Sequence, residues 1–300
     1  MRITVVHNPT AGRGTLSRAE LEGILGDAGY HVRYQTTKGK WKKVLQLETD
    51  LVLAAGGDGT VRKVATELAA TTGTKIPFAV APSGTANNFA HAIGIGDELA
   101  RRVREWPSAR PRLIDLGMVT VRRRSRPFVE GAGGGVFATA IGRGPDEVEA
   151  RIQVARDDET RLGLELISRL VDSTEPARWE IVVDGRDLSG DYVAVEALNI
   201  GFVGPSVPLA RRADPGDGQL DLVVIDDAGR SALKRHVERR LGGDGAPRLE
   251  LPVQRFRRAH LKPPHGDPFR IDDRSRPWLG RTRSVAIEIV VRPAAVAMLT

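Results

Sequence analysis

Gly56-Gly57-Asp58-Gly59-Thr60 sets three glycines around one carboxylate, directly after the apolar run Leu51 to Ala55. Glycines let backbone amides approach an anion where a side chain would collide, and a helix starting just beyond them adds unpaired N–H groups and a positive dipole end. That chemistry suits a phosphate. Asp58 would repel a bare phosphate, so it points to a metal ion, a proton acceptor, or both; a purely structural turn is the alternative. Two other loops share the texture, Asn8-Pro9-Thr10-Ala11-Gly12-Arg13-Gly14 and Pro82-Ser83-Gly84-Thr85-Ala86-Asn87-Asn88-Phe89-Ala90.

The elements that must carry these loops follow from pattern. Arg2 to His7 reads as a first strand. Ser17 and Glu20 form a capping box ahead of Leu21, Ile24 and Leu25. His31 to Thr36 alternates as a strand, Trp41 to Leu47 reads as a short helix, and Leu51 to Ala55 as a buried strand. Val61, Val64, Ala65 and Leu68 then recur at helical spacing, Pro77 to Ala81 is another buried strand, and Thr85 is placed to cap the next helix. Such alternation predicts a parallel sheet with right-handed crossovers, and ligands of open α/β sheets lie at the C-terminal ends of the strands. Three small-residue loops on that edge argue for a nucleotide.

Around Asp115 the texture changes to strands separated by turns: 112–121, 128–132, 179–183, 192–200, 219–225, 253–262, 268–271 and 284–291, with Asp184-Gly185 as a hairpin turn. This predicts a second, β-rich domain. Asp146 to Asp172 carries two amphipathic helices, and the stripe Leu162, Leu166, Ile167, Leu170 and Val171 is either core packing or a lid over an apolar substrate. Gly242 to Gly245 reads as a loop.

Three hundred residues with 41% hydrophobic content suffice for two cores. The absence of cysteine excludes disulfide scaffolds and zinc–thiolate sites and fits a reducing compartment. The six histidines lack metal-ligand spacing, which argues against a zinc protease or a catalytic triad. Met1 to His7 lacks the features of a signal peptide, and Val285 to Leu299 is interrupted by Glu288, Arg292 and Pro293, so a soluble chain is expected. The net charge of +7 comes mainly from arginine, at Arg122-Arg123-Arg124 with Arg126, Arg211-Arg212, Arg239-Arg240, and Arg255 with Arg257-Arg258. These clusters suit an anionic membrane surface, at about 1 kcal/mol per basic residue, or are a solvated background. With 5% aromatics and no stacking motif, nucleic acid is not an expected partner.

Together these residues resemble the bacterial lipid kinases of the diacylglycerol kinase catalytic family, which is related to sphingosine kinases and more distantly to NAD kinases and phosphofructokinases. The marks are Asn8-Pro9 with Ala11-Gly12, Gly56 to Thr60, Pro82 to Asn87, Asp115-Leu116-Gly117, Asn199 with Gly204, and Asp217-Gly218-Gln219-Leu220. The resemblance implies an α/β nucleotide-binding domain over 1–115, to which 293–300 returns, and a β-sandwich-like lipid-substrate domain with inserted helices over 116–292. ATP is expected between them. Asn8, Pro9, Gly56, Gly57, Asp58, Gly59, Thr60, Ser83, Gly84, Thr85 and Asn87 would contact the nucleotide. Asp58 and Asp115 would organise Mg²⁺, and Asp217 matches a second-domain magnesium element. Asp272 would be the general base, with Asp58 and Asp273 as further catalytic acids.

Three positions depart from the family pattern, each by losing an acid: Arg62-Lys63 stands for Asn-Glu, Asn88 follows Asn87 in place of Asp, and Arg274 replaces the Glu of an Asp-Gly-Glu triplet. The expected protein is a cytoplasmic, peripherally membrane-associated, ATP- and Mg²⁺-dependent kinase acting on a diacylglycerol-like or other long-chain lipid, with a homodimer admissible. Alternatives are a nucleotide-binding homologue without turnover, and a soluble NAD kinase-like enzyme, against which Asn8-Pro9 and Ser83-Gly84-Thr85 argue.

Overall fold

The structure, a computed structural model, describes residues 1–14, 16–45, 48–96, 98–151, 159–243, 248–276 and 285–300. Leu47, the link 152–158 between the two expected helices, Asp244-Gly245 and Ser284 lie outside the described residues. The chain divides into two compact units, Met1–Asp115 with Pro293–Thr300, and Leu116–Arg292.

The first unit alternates β1 (Arg2–His7), α1 (Arg18–Asp27), β2 (His31–Thr36), α2 (Trp41–Val44), β3 (Leu51–Gly56), α3 (Asp58–Thr71), β4 (Phe78–Pro82), α4 (Asn88–Ala92) and α5 (Leu99–Glu105). Its strands form a parallel sheet in the order β2-β1-β3-β4, and Met298 in the returning segment pairs with Phe78. β3 is buried along its whole length, as a strand covered on both faces must be. Leu21 and Leu25 of α1 and Val103 of α5 pack into one cluster with Ile3, Val5, Leu53 and Leu299. Val61, Val64, Ala65 and Leu68 of α3 are buried too, at about 1.5–3 kcal/mol for each large side chain. Ser17 caps α1 with its hydroxyl on the Glu20 amide, and Glu20 reciprocates. The sequence puts that cap where the structure has it.

The second unit contains β5 (Arg112–Val121, entering from the first unit), β6 (Arg124–Phe128), β7 (Gly131–Gly135), α6 (Val136–Arg151), α7 (Glu159–Ser173), β8 (Ala177–Val183), β9 (Arg186–Asp187), β10 (Gly190–Tyr192), β11 (Ala194–Leu198), β12 (Phe202–Val203), β13 (Val207–Pro208), β14 (Leu220–Ile225), α8 (Asp227–Leu241), β15 (Val253–Phe256), β16 (Arg258–Lys262), β17 (Phe269–Ile271), β18 (Arg274–Arg276) and β19 (Ile287–Met298, whose end belongs to the first unit). A six-stranded antiparallel sheet runs β15-β14-β11-β7-β17-β18. Its inward face, with Val195, Ala197, Leu220, Leu222, Phe269 and Ile271, packs against Trp179, Ile181, Ala259, Leu261 and Ile289 of a second layer, β8-β16-β19. The period of two then sends Ala194, Leu198, Val223 and Ile225 to the opposite face, where helices cover them. Leu166, Ile167, Leu170 and Val171 of α7 are buried in that second core, so the stripe is packing. The result is an α/β domain with a parallel sheet followed by a sandwich-like β domain carrying helices.

Three differences from the sequence reading have physical causes. The expected strand 128–132 is broken at Val129-Glu130, and the glycine run Gly131 to Gly135 is itself a central strand. Strand 253–262 divides at Arg257, whose amide bonds Asp184. Asp227–Leu241 forms an unanticipated helix whose buried stripe is only Leu233, His236 and Val237, too narrow to stand out among its charges.

Candidate phosphate-loop and hairpin sites

In the first unit the three loops meet at one sheet edge. His7 is in register with Ala55, and Gly56 with Pro82. The Asn8 amide donates to Ala55 O at 2.8 Å and the Ser83 amide to Gly56 O at 3.2 Å, so the flanking loops are both fastened to the end of β3. His7 beneath the first loop is buried and holds Tyr34 Oη at 2.6 Å through Nδ1; burial lowers its pKa. A Cβ at Gly56 would lie 2.3 Å from Thr60 Oγ1, and one at Gly84 would lie 2.5 Å from the Gly57 Cα. Glycine is therefore required by close approach, since real Cβ atoms do not come that near. Thr60 is buried in the first turn of α3, and Ser83 Oγ is buried with no hydrogen-bond partner among the described residues. A glycine cradle, a helix start and an orphan hydroxyl fit a phosphate-bearing ligand.

Asp58 opens α3 and uses both oxygens on α4: Oδ2 accepts from the Asn88 amide and Oδ1 from the Phe89 amide, each at 3.0 Å. This corrects the expected cap, because Asn87, not Thr85, stands at the cap position of α4 and the first two helix amides go to Asp58 instead. Asn87 adopts φ +48 and spends its amide on Gly84, accepting from its N–H at 2.9 Å and donating to its carbonyl at 2.8 Å. It braces the loop from within. Asp115 is buried and accepts from the Ala294 amide at 2.7 Å, holding the returning segment. Asp58 and Asp115 thus hold separate pieces of backbone, and among the described residues no group of three or more His, Asp or Glu could hold a metal ion.

In the second unit the β17–β18 hairpin turns at Asp272-Asp273. Asp272 has φ +51, is 2% exposed, and collects backbone amides: Glu130 at 2.8 Å, Val129 at 3.1 Å and Gly131 at 3.3 Å, all on Oδ1. That is how an anchor is held. Asp273 and Arg274 are each about half exposed, 3.9 Å apart. Beneath the turn lies a pair that the sequence reading missed. Arg270 donates through Nε to Glu196 at 3.0 Å and through Nη1 to the Asp272 carbonyl at 3.1 Å, with neither side chain more than 1% exposed. Burial pushes Glu196 up while the guanidinium pulls it down. Gly133 lies between them, in register with Glu196 on one side and Arg270 on the other, and a Cβ there would be 2.3 Å from Glu196 Oε2. The glycine strand exists so that this ion pair can cross it. The available signal was a lone Glu inside the apolar strand 192–200.

Asp217 does not fit the expected second-domain magnesium. Oδ1 accepts from the Gln219 amide at 2.9 Å, and Oδ2 is paired with the Arg255 guanidinium. Close by, Asp221 is 7% exposed and its carboxyl is raised to about 6, chiefly by burial, then by the Asp217 charge, with Arg255 opposing. A folded-state pKa above the unfolded one means that the folded chain holds more protons, so stability falls as pH rises from about 4 to 6. Asp221→Asn is expected to remove that loss, stabilising the protein by roughly 2 kcal/mol at pH 7 and by little at pH 4. Urea denaturation at the two pH values checks this, and equal effects at both would refute it.

Residues 2–119 match the diacylglycerol kinase catalytic domain, and residues 149–298 match the YegS C-terminal NAD kinase beta sandwich-like domain. A diacylglycerol kinase of Bacillus subtilis (strain 168) is 27% identical over 253 residues, covering 81% of this chain and 80% of that one. A protein of Pectobacterium atrosepticum named "Probable lipid kinase YegS-like" is 31% identical over 230 residues, covering 74% and 73%. A crystal structure of a diacylglycerol kinase from Bacillus anthracis str. Sterne superposes with a TM-score of 0.70 at 19% identity, over 99% of this chain and 96% of that one, which shows a common fold. The chain belongs to the diacylglycerol kinase catalytic family, on its bacterial lipid kinase branch.

Proposed function

We propose that this chain is an ATP-dependent lipid kinase, moving the γ-phosphoryl group to a hydroxyl of a diacylglycerol-like or other long-chain lipid. The observation that carries the reading is the meeting of three small-residue loops, the α3 start and the Ser83 hydroxyl at one edge of the first unit. Phosphoryl transfer needs positioning and charge neutralisation more than covalent help. Amides of Gly57 and Gly59 with the Thr60 and Thr85 hydroxyls would hold phosphates. Asp58 would hold Mg²⁺, with Asp115 as the second candidate acid, because a hard divalent ion takes carboxylate oxygens. Bound there, Mg²⁺ supplies charge neutralisation on the phosphates.

Of the hairpin acids, Asp273 is the accessible one and takes the role of proton acceptor; Asp272 fixes the turn. Asp273→Asn is expected to lower kcat by about 10²-fold or more with unchanged melting, whereas Asp272→Asn lowers the melting midpoint first. Equal melting for both variants would contradict the division. Incubation with labelled ATP, Mg²⁺ and a lipid panel should place label in the organic phase; nucleotide binding with no lipid labelled would sink the kinase reading. Arg274, a cation beside Asp273 where a Glu is expected, favours a second reading in which turnover is impaired. A large rise in rate for Arg274→Glu supports it.

No helix among the described residues is long and apolar enough to cross a membrane. Arg122, Arg123, Arg124 and Arg126 are all exposed on the β5–β6 hairpin, which suits an anionic lipid surface. Adsorption to anionic vesicles should weaken as salt rises, and salt-indifferent adsorption would remove the proposal.

A further inference from the structure

The second unit has the makings of a divalent-cation site with an arginine in it. The loop before β14 is tightly wound: Asp214 Oδ1 accepts from the Gly216 amide at 2.8 Å, Asp217 Oδ1 from the Gln219 amide, and Gly218 takes φ +74. It delivers the Asp217 carboxylate toward Asp221, the next acid along, near enough for the two charges to act on each other. Carboxylates are the donors a hard divalent ion uses. Arg255 stands on β15 directly across from Asp221 on β14, and its guanidinium pairs with Asp217.

We propose that Arg255 is an intramolecular counter-cation that occupies the place a divalent ion would take between Asp217 and Asp221, so that this loop keeps its conformation without metal. The geometry supports it in three ways. Both Asp217 oxygens already have partners, one of them the guanidinium. Asp221 is almost fully buried, and Arg255 is the cation that lowers the cost of its charge. The β14–β15 register fixes Arg255 opposite Asp221, so the guanidinium is delivered by the sheet and not by a mobile chain end. An arginine carries one charge, cannot ligate Mg²⁺ and cannot leave, so the site is closed by occupancy. A latent metal site should therefore open when the arginine is removed. The inference concerns the second unit's folding and does not depend on the kinase reading.

Melting of the nucleotide-free protein in EDTA, in millimolar MgCl₂ and in millimolar CaCl₂ tests it. Wild type and Asp217→Asn are expected to respond to divalent ions alike, which leaves aside any weak binding in the first unit. Arg255→Gln should melt lower in EDTA and regain about 2–5 °C with Ca²⁺ or Mg²⁺, and Arg255→Gln/Asp217→Asn should lose that gain. Arg255→Lys should be as indifferent to metal as wild type. A divalent-dependent rise in wild type that Asp217→Asn abolishes overturns the proposal even if no Arg255 variant folds. So does an Arg255→Gln protein that folds and ignores both ions, or an Arg255→Lys protein that responds as Arg255→Gln does.

Discussion

Asp58→Asn is expected to cut kcat by about 10²–10³-fold and also to lower the melting midpoint of the nucleotide-free protein by several degrees. The second effect is the informative one. An acid that only carried a metal would tolerate Asn in the metal's absence. Here both oxygens accept backbone N–H groups, from Asn88 and Phe89 at 3.0 Å. The asparagine amide brings one acceptor and one donor, so its NH₂ must face an N–H donor whichever way it turns. Charge-assisted hydrogen bonds contribute about 1.5–3 kcal/mol each, and an amide left facing a donor loses that and its solvation. With the start of α4 released, the Ser83 to Asn87 loop loses its fixed end, and Gly84 no longer rests against Gly57. Nucleotide affinity should fall together with stability. Thermal melts without nucleotide, nucleotide titration and the lipid-labelling assay measure the three consequences. An Asp58→Asn protein that melts like wild type would show that the carboxylate is not the fastener described.

That coupling marks the limit of what the sequence disclosed. Apolar strands emptying into glycine loops are local patterns, so the parallel sheet and the edge where its loops gather were legible from Leu51 to Thr60 and from Pro77 to Asn87. The partner of the α4 start was not, because Asp58 reaches it across 30 residues, whereas local pattern offers only neighbours such as Thr85. The same holds for the hairpin. Glu196 and Arg270 are 74 residues apart, and nothing in either neighbourhood says that a glycine strand will bring them together. Gly133 to Gly135 falls outside the expected strand 128–132 because glycine usually weakens a strand. It is a strand because its missing side chains leave room for Glu196 on one face and, at Gly134, for the Trp179 ring on the other. Long-range charge pairing and close approach are the terms that local pattern cannot express.

Arg270→Met is expected to be the most destabilising single change in the second unit, at about 3–5 kcal/mol, because it leaves Glu196 buried without a counter-charge. Its pH dependence has a definite sign. With the guanidinium's pull gone, burial alone acts on Glu196 and holds its folded-state pKa further above the unfolded value. The folded variant then binds more protons, so its stability declines as pH rises past about 4 and is greatest in acid. Glu196→Leu/Arg270→Met should recover most of the loss, since apolar groups of similar volume commonly replace a buried pair at little cost. Activity should not recover with it. Arg270 also donates to the Asp272 carbonyl at 3.1 Å and to the Gly131 carbonyl at 3.3 Å, and no apolar pair replaces those bonds. The turn carrying Asp273 would then sit on a stable but unaimed hairpin, which predicts near-normal urea midpoints with kcat well below wild type. If the double variant regains both stability and rate, the pair is only packing, and the hairpin is aimed by the Asp272 carboxylate and the amides of Val129 to Gly131 alone.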